Sequence, residues 1–403
     1  MMNNRPKKRI YVIDALRGFA LMGILLVHFL EHFDATGFRG ESSPIMQWLD
    51  VAVSDVIRFL FLGKSYAIFS MLFGLSFFIQ MENNKERGVD FRLRFIWRLA
   101  LLYMLGHLNG LFYSGEILVI YALFGLILIP LYKLPVTYLF PLCLIFLFLI
   151  PNIIYMIWLS FHPGATDIFS FLYTGGYVER IPILTDGTFG EVMLHNMWKG
   201  QVTKWMWYLQ PENVFRIWGL FMAGLLIGKL GIYRDVQAMI IYAKRALGWG
   251  VVLFIIFFSL NKIVPLSGID NKMVSYLAGT ISHLYANLGL MFIIIGLFVL
   301  FYFRLDGKPI LDKLAPVGRM SLTNYMMQSL IGALLFYGFG LGLASSCGPA
   351  ITTCMAMVFI IFQIWFSNRW MKYYYYGPVE WIWRLLTWLP SGRVGFKRRE
   401  SVK

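Results

Sequence analysis

The chain has 403 residues, of which 59% are hydrophobic and only 14% are charged, and its mean hydropathy is +0.66. A soluble domain is typically about half apolar and about a quarter charged, so this chain would expose too much apolar surface in water. These values exclude a soluble enzyme, a disordered chain and a disulfide scaffold. They predict an all-α integral membrane protein, a helical bundle with several spans.

Apolar runs of roughly 20 residues, the length that crosses a hydrocarbon core, follow one another along the whole chain. They form a single transmembrane domain over 1–403, in which residues 160–212 make the one long extracytoplasmic loop and 369–403 a basic cytoplasmic tail. Tryptophans in that loop predict a helix at the membrane interface. The ten predicted spans are 10–33, 56–80, 96–113, 116–132, 136–159, 213–231, 246–264, 274–303, 316–340 and 348–368.

The net charge of +15 is unevenly distributed, and its distribution predicts the orientation of the chain. Ten spans place both termini on one side, and most of the 36 Lys and Arg residues lie on that side. Because positive charge marks the cytoplasmic side, both termini are predicted to be cytoplasmic, in a multi-pass protein of the plasma membrane. The expected partners are the lipid bilayer, a small-molecule substrate and a second copy of the chain, but no nucleic acid.

The three cysteines, Cys143, Cys347 and Cys354, lie in or beside apolar runs. They indicate neither a disulfide framework nor a zinc site, and the simplest interpretation is that they pack as small apolar side chains. We therefore expect no bound metal and no tightly bound cofactor.

The first span carries four ionisable side chains, which are costly inside a bilayer and are therefore functional candidates. At 100° per residue, Asp14, Arg17, His28 and His32 fall within about 60° of one helix face. Asp14 and Arg17 are three residues apart and are expected to pair, while His28 lies about 16 Å further along the axis. This polar stripe is expected to face a wet cavity; the alternative is a structural ion pair with two interfacial histidines.

Two later spans carry similar polar stripes. In the eighth span, Tyr276, Thr280, His283 and Asn287 share an arc of about 60°. The ninth span has a comparable stripe that follows a cationic residue, Arg319. Such stripes line a cavity or hold neighbouring helices together, and the sequence leaves both alternatives open. The members of the ninth-span stripe are Ser321, Asn324 and Gln328.

Three further ionisable residues lie in or beside the predicted spans. His107 in the third span and Glu116 at the start of the fourth are near a common turn on the outer side. Lys64 is expected either to extend its ammonium group to the interface or to line the cavity.

Several sequence blocks, in order over nearly the whole chain, resemble the YeiB-like family of bacterial membrane proteins. That family is described loosely as transporters, and its motifs are similar to those of transmembrane acyltransferases. The acyltransferases include the heparan glucosaminide N-acetyltransferases and the sugar O-acetylating enzymes. The matching blocks are Asp14-Ala-Leu-Arg17-Gly18, Gly63-Lys64, Phe69-Ser70-Met-Leu-Phe-Gly74, His107, Ser114-Gly115-Glu116, Gly318-Arg319, Asn324-Tyr325 and Gly377-Pro378-Val-Glu380-Trp381.

The chain departs from the family pattern at two positions. His28 stands where members of the family usually carry Asn, and it restores the Arg-x10-His spacing of the sugar O-acyltransferases through Arg17 and His28. Glu116 replaces a common Asp and keeps the charge. The resemblance therefore favours acyl transfer in this member.

The first functional hypothesis is an acyltransferase that moves an acyl group from cytoplasmic acyl-CoA, its cosubstrate, to an extracytoplasmic acceptor such as a cell-envelope sugar. His28 is the expected general base, with His107 as the alternative. Asp14 is expected to orient a donor-binding arginine, and polar groups of the ninth span would stabilise the oxyanion. The expected donor- and substrate-binding residues are Arg17, Arg92, Arg94, Arg98, His32, Lys64, Glu116, His283, Asn287, Arg319, Ser321, Asn324 and Gln328.

The alternative hypothesis is a small-solute transporter or exporter. In that case the intramembrane stripe is a proton or substrate path, along which histidines change protonation between states. The two hypotheses differ at Arg17, because only a transferase needs a site for the large anionic donor.

Overall fold

The protein is all-helical in a computed structural model that describes residues 11–35, 43–162, 169–173, 179–266, 268, 271–304 and 308–389. Within those ranges no β-strand occurs, which confirms the predicted fold class. The basic N-terminal segment 1–10 and residues 390–403 of the predicted tail lie outside the described residues.

Nineteen α-helices occur in the described part of the chain. The first eight are α1 (Tyr11–Leu30), α2 (Pro44–Leu60), α3 (Ser65–Lys85), α4 (Arg92–Gly110), α5 (Leu118–Phe124), α6 (Leu128–Leu131), α7 (Val136–Leu147) and α8 (Ile150–Phe161). Three short helices in the predicted long loop are α9 (Arg180–Asp186), α10 (Phe189–Met197) and α11 (Lys199–Tyr208). The last eight are α12 (Pro211–Lys229), α13 (Val236–Ile263), α14 (Lys272–Phe303), α15 (Lys308–Leu311), α16 (Ala315–Arg319), α17 (Ser321–Phe336), α18 (Pro349–Tyr373) and α19 (Pro378–Trp388).

Several of these helices are long and apolar enough to cross a membrane. In the described residues there are five such segments, or six if α7 and α8, which are bent by 49°, form one span. Several predicted membrane spans are thus confirmed, whereas the predicted number of ten is not. The five segments are Tyr11–Leu30, Pro44–Lys85, Val236–Leu266, Val274–Phe303 and Pro349–Tyr373.

Helix α1 lies in the centre of the bundle, although its composition would also suit a lipid-facing helix. It packs against α3, α16, α17 and α18. Ala15, Ala20, Leu21, Leu25 and Phe29 have no exposed surface. The first span is therefore the core element around which polar residues of other helices are arranged.

Helices α3 and α12 pack in direct backbone contact at two glycines. A Cβ atom on Gly224 would overlap with the carbonyl oxygen of Met71, and a Cβ atom on Gly74 would overlap with that of Phe221. Small residues of this kind let transmembrane helices approach closely, which increases their van der Waals contact. This crossing fixes α12 beside α3.

We predict that Gly224→Ala lowers the thermal stability of the protein, because the backbone of α3 cannot move away from the added methyl group. Overpacking of this kind typically costs about 1–3 kcal/mol. The matched control is Gly248→Ala on α13, where nothing lies within 4 Å of the added Cβ atom. Thermal unfolding of the detergent-purified variants tests this, and equal melting temperatures for the two would contradict the predicted close crossing.

Candidate functional site

A cavity of about 760 Å³ lies beside the C-terminal half of α1. Its walls come from the end of α1, the turn between α2 and α3, the segment 113–117, helix α11, the start of α12 and the first half of α14. No residue of α1 before Ile24 lines it. The cavity is therefore confined to one end of the central helix.

The cavity wall carries both signs of charge. Three acidic and four basic side chains line it in the described part of the chain, together with the imidazoles of His28 and His283. A cavity of this size with charged side chains among a largely apolar lining is typical of a small-molecule site. The charged residues of the wall are Glu31, Asp34, Glu212, Arg58, Arg180, Lys204 and Arg216.

Two ion pairs lie where α1 ends. An Arg58 Nη1 atom is 3.6 Å from a carboxylate oxygen of Glu31, and an Arg180 Nη2 atom is 3.0 Å from one of Asp34. The chain turns sharply here, because His32, Phe33 and Asp34 have φ values of 49°, 52° and 74°. Left-handed backbone is rare in non-glycine residues, and three in succession store strain of the kind found at functional sites.

His28 is the residue of the first-span stripe that reaches the cavity. Its Nδ1 atom is 3.1 Å from the hydroxyl oxygen of Tyr113, and its ring packs edge-on against the Tyr113 ring. Tyr113 is held on a segment whose Ile117 backbone N–H donates to the hydroxyl of Tyr325 over 3.1 Å. The imidazole thus has one nitrogen engaged in a hydrogen bond within a polar enclosure.

The other members of that stripe lie elsewhere. Arg17 pairs with Asp14 over 3.2 Å, as predicted, and donates to the hydroxyl of Ser76 over 2.5 Å, far from the cavity. His32 is buried, with its ring edge-on against Phe336 of α17 and its Nε2 atom 2.9 Å from the carbonyl oxygen of Cys347. The predicted stripe is therefore divided among three environments.

The eighth-span stripe lies on α14, and all four of its members line the cavity: Tyr276, Thr280, His283 and Asn287. The Nε2 atom of His283 and the Nδ2 atom of Asn287 are 2.9 Å apart. This stripe therefore contributes a polar face of α14 to the cavity wall.

Glu116 forms an ion pair with Lys204, a cavity-lining residue of α11, over 2.8 Å. Their side chains are 0% and 1% exposed. The Glu116 carboxylate also accepts backbone hydrogen bonds from Leu118 and Val119 at the first turn of α5. Glu116 therefore fastens the long loop to the bundle just behind the cavity.

The ninth-span stripe lies on α17 and bonds to other helices instead of the cavity. The Asn324 amide donates to the hydroxyl of Ser367 over 2.9 Å, and the Gln328 amide donates to Gln363 over 3.0 Å. Arg319 donates to the carbonyl oxygen of Tyr375. Asn324 and Gln328 therefore join α17 to α18, while Ser321 begins α17 and is half-buried.

His107 and Lys64 are not in the cavity wall. The Nδ1 atom of His107 is 3.1 Å from the carbonyl oxygen of Tyr103 one turn earlier, and the two rings pack at 4.3 Å. Lys64 is buried and donates to the carbonyl oxygen of Arg58. Lys64 nonetheless lies between two cavity-lining residues, Gly63 and Ser65.

The arginines at the start of α4 lie away from both Arg17 and the cavity. Arg92 is paired with Asp90 over 2.6 Å, and its hydrogen bonds lower the pKa of that exposed carboxyl to about 2. The guanidinium groups of Arg94 and Arg98 stack on two tryptophans of α19, at 4.3 and 4.0 Å. Helix α19, which belongs to the predicted C-terminal tail, therefore covers Arg94 and Arg98.

None of the four basic residues of the cavity wall was among the sequence-based candidates: Arg58, Arg180, Lys204 and Arg216. Arg216 lies inside the predicted span 213–231, so the cost of an intramembrane charge is a signal that could have identified it. The sequence alone gives no comparable signal for Lys204, because its partner is 88 residues away. Within the described ranges, no group of three or more His, Cys, Asp or Glu side chains could hold a metal ion.

Comparisons with known proteins give one matching family and several relatives of similar length. Residues 227–390 match a family described as a protein of unknown function, DUF418. The uncharacterized protein YxaH of Bacillus subtilis (strain 168) is 28% identical over 398 residues, covering 95% of each chain. The uncharacterized protein YeiB of Escherichia coli (strain K12) is 26% identical over 415 residues, covering 96% of this chain and 98% of its own. These nearly full-length matches confirm the predicted relation to the YeiB-like family.

A third relative has the same extent of similarity. It is an uncharacterized 39.9 kDa protein in the amylase 3′ region of Bacillus acidopullulyticus, 27% identical over 395 residues and 94% of each chain. None of these descriptions names an activity.

Proposed function

We propose that this YeiB-like chain is a membrane-embedded acyltransferase that moves an acyl group from acyl-CoA to an acceptor bound beside His28. The observation that carries the proposal is the position of His28, which faces a polar cavity of about 760 Å³ while Tyr113 holds one ring nitrogen. Such a volume suits a small molecule, and a cell-envelope sugar is the acceptor class that we favour.

The chemistry needs a base, because an acceptor hydroxyl or amine attacks a thioester only as it loses its proton. In the tautomer whose Nδ1–H donates to the Tyr113 hydroxyl, Nε2 of His28 can accept that proton. The acceptor oxygen or nitrogen bonds to the acyl carbon and the carbon–sulfur bond breaks. The proton then passes from His28 to the departing CoA sulfur.

We also propose ten spans, with both termini in the cytoplasm of a cell whose plasma membrane holds the protein. Helices occur in each of the ten predicted ranges, and the uneven distribution of basic residues supports this orientation. On this topology Arg17 lies toward the cytoplasm and the cavity lies in the outer half of the membrane. We assign the donor phosphates to Arg17.

One feature of α1 restricts this mechanism. Arg17 and His28 are about 16 Å apart along the helix axis, and the fully buried Leu21 and Leu25 lie between them. The acyl end of the donor therefore reaches His28 only when neighbouring helices separate from α1. Conformational opening is accordingly part of the proposed catalytic cycle.

A small-solute transporter is the second candidate, favoured by the same restriction. A charged cavity that ends beside the middle of α1 is what a carrier open to one side would present. In that function the histidines of the wall would exchange protons with the solute path.

Acyl-CoA binding separates the two candidates. The purified chain would be unfolded thermally with acetyl-CoA, longer acyl-CoAs and plain CoA, since a ligand that binds only the folded state raises the melting temperature. We expect saturable stabilisation in the wild type, its loss in Arg17→Ala, and its retention in the control Arg245→Ala on α13. If no acyl-CoA stabilises the wild type, the acyltransferase proposal is rejected in favour of transport.

A further inference from the structure

Arg216 is a half-buried cation whose charge is not matched by a carboxylate in the described part of the chain. Its guanidinium lines the cavity and donates from Nη2 to the side-chain oxygen of Asn213 over 2.8 Å. Its Nε atom is buried without a hydrogen-bond partner among the described residues. No carboxylate of those residues lies within 4.0 Å of it. An uncompensated buried charge of this kind is costly unless a ligand satisfies it.

Tyr66 supplies a second unsatisfied polar group at the same place. The Arg216 guanidinium lies over its ring at 4.9 Å, and Tyr66 also lines the cavity. Within the described residues, its buried hydroxyl has no hydrogen-bond partner. A guanidinium can only donate and a phenol can donate, so an acceptor atom placed between them would satisfy both.

The other cations of the cavity wall differ from Arg216 in this respect. Arg58, Arg180 and Lys204 each have a carboxylate within 4.0 Å. Glu212 lies one turn before Arg216 on α12 and lines the same cavity. The unmatched positive charge is therefore concentrated on Arg216.

The position of Arg216 is fixed by its local structure. Pro211 at the start of α12 sets the helical direction. The Asn213 amide donates to the carbonyl oxygen of Trp207 over 2.8 Å and to the side chain of Gln210 over 3.1 Å. The same Asn213 side chain accepts from Arg216, so the guanidinium is preorganised before any ligand binds.

We propose that Arg216 and Tyr66 bind an oxyanion, a carboxylate or phosphate group, of the molecule that occupies the cavity. A planar guanidinium matches either group in bidentate fashion. The identification of this ligand as the acyl acceptor rests on the proposed function. The acceptor is then an acidic or phosphorylated sugar. Its anionic group lies on Arg216, and its reacting hydroxyl lies toward His28.

Thermal unfolding of the full chain in detergent tests the proposal with four probes: glucose, glucuronate, glucose 6-phosphate and inorganic phosphate at constant ionic strength. We expect glucuronate or glucose 6-phosphate, but not glucose, to stabilise the wild type in a saturable way. In Arg216→Gln the affinity for that ligand should fall at least about tenfold, which is the effect of losing one charge-assisted pair. The control Arg245→Gln should respond as the wild type does.

Stability of the free protein separates binding from a structural role. If the role of Arg216 is to bind a ligand, Arg216→Gln removes a charge that has no partner in the free protein. The variant without ligand should then melt at a higher temperature than the wild type without ligand. Arg216→Lys keeps the charge but not the planar fork and should retain only part of the stabilisation by ligand. Tyr66→Phe should weaken binding while leaving the free protein folded.

Three outcomes would overturn the inference. They are equal stabilisation by glucose and by the anionic sugars, undiminished anion binding in Arg216→Gln, and a response to inorganic phosphate that Arg216→Gln and Arg245→Gln share. The inference and the proposed function can fail separately. If anionic sugars bind specifically but acyl-CoA does not stabilise the protein, the oxyanion site is supported and the acyltransferase function is rejected.

Discussion

Replacing Glu116 by Gln is expected to lower the free energy of unfolding by about 3–5 kcal/mol, because breaking a buried ion pair leaves one charge without compensation. The Lys204 ammonium is 2.8 Å from the Glu116 carboxylate, and neither side chain is more than 1% exposed. The same carboxylate also accepts hydrogen bonds from the backbone at the start of α5. Thermal unfolding in detergent measures the loss, as a drop of roughly 3–10 °C in melting temperature for a chain of this size.

A double-mutant cycle gives this prediction its control. Lys204→Met alone should also destabilise, whereas Glu116→Gln combined with Lys204→Met should recover most of the loss, because no unpaired charge then remains. The exposed pair of Asp90 and Arg92 is the matched comparison, and Asp90→Asn should leave the melting temperature unchanged. If the buried and exposed pairs lose equal stability, Lys204 is hydrated and the long loop is not fastened at this point.

Sequence periodicity predicted one wall of the cavity well, for a definite reason. Helix α14 is continuous from Lys272 to Phe303, so a 100° rotation per residue places Tyr276, His283 and their neighbours on one face. In the first span the same arithmetic fails at His32. The helix ends at Leu30, and His32 has a positive φ.

Periodicity also predicts which residues share one face of a helix, but it does not predict which neighbouring element that face contacts. The stripe on α17 has the same pattern as that on α14, yet Asn324 and Gln328 bond to α18. The cations Lys204 and Arg216 lie on α11 and α12, whose positions beside the cavity are set by tertiary contacts and not by the local sequence. Their roles depend on contacts with distant residues, Glu116 and Tyr66, which no local pattern contains.

His28→Gln is expected to reduce CoA release by about 10²–10⁴-fold, the contribution of a positioned general base. Acyl-CoA should still stabilise this variant, because His28 and Arg17 lie at opposite ends of α1 and the substitution leaves the donor site intact. CoA release from acetyl-CoA would be followed as free thiol, with glucose, glucuronate or water as the acceptor. His162→Gln, an exposed histidine at the end of α8, is the matched control and should keep the wild-type rate.

The partner of the imidazole gives an independent test of the same base. Tyr113→Phe removes the hydroxyl 3.1 Å from Nδ1 and should slow release less than His28→Gln does, because the base remains but its tautomer is no longer fixed. A wild-type rate in His28→Gln would transfer the role of base to His107, which His107→Gln then tests. Full activity in both histidine variants would show that neither imidazole is the base and would overturn the proposed role of His28.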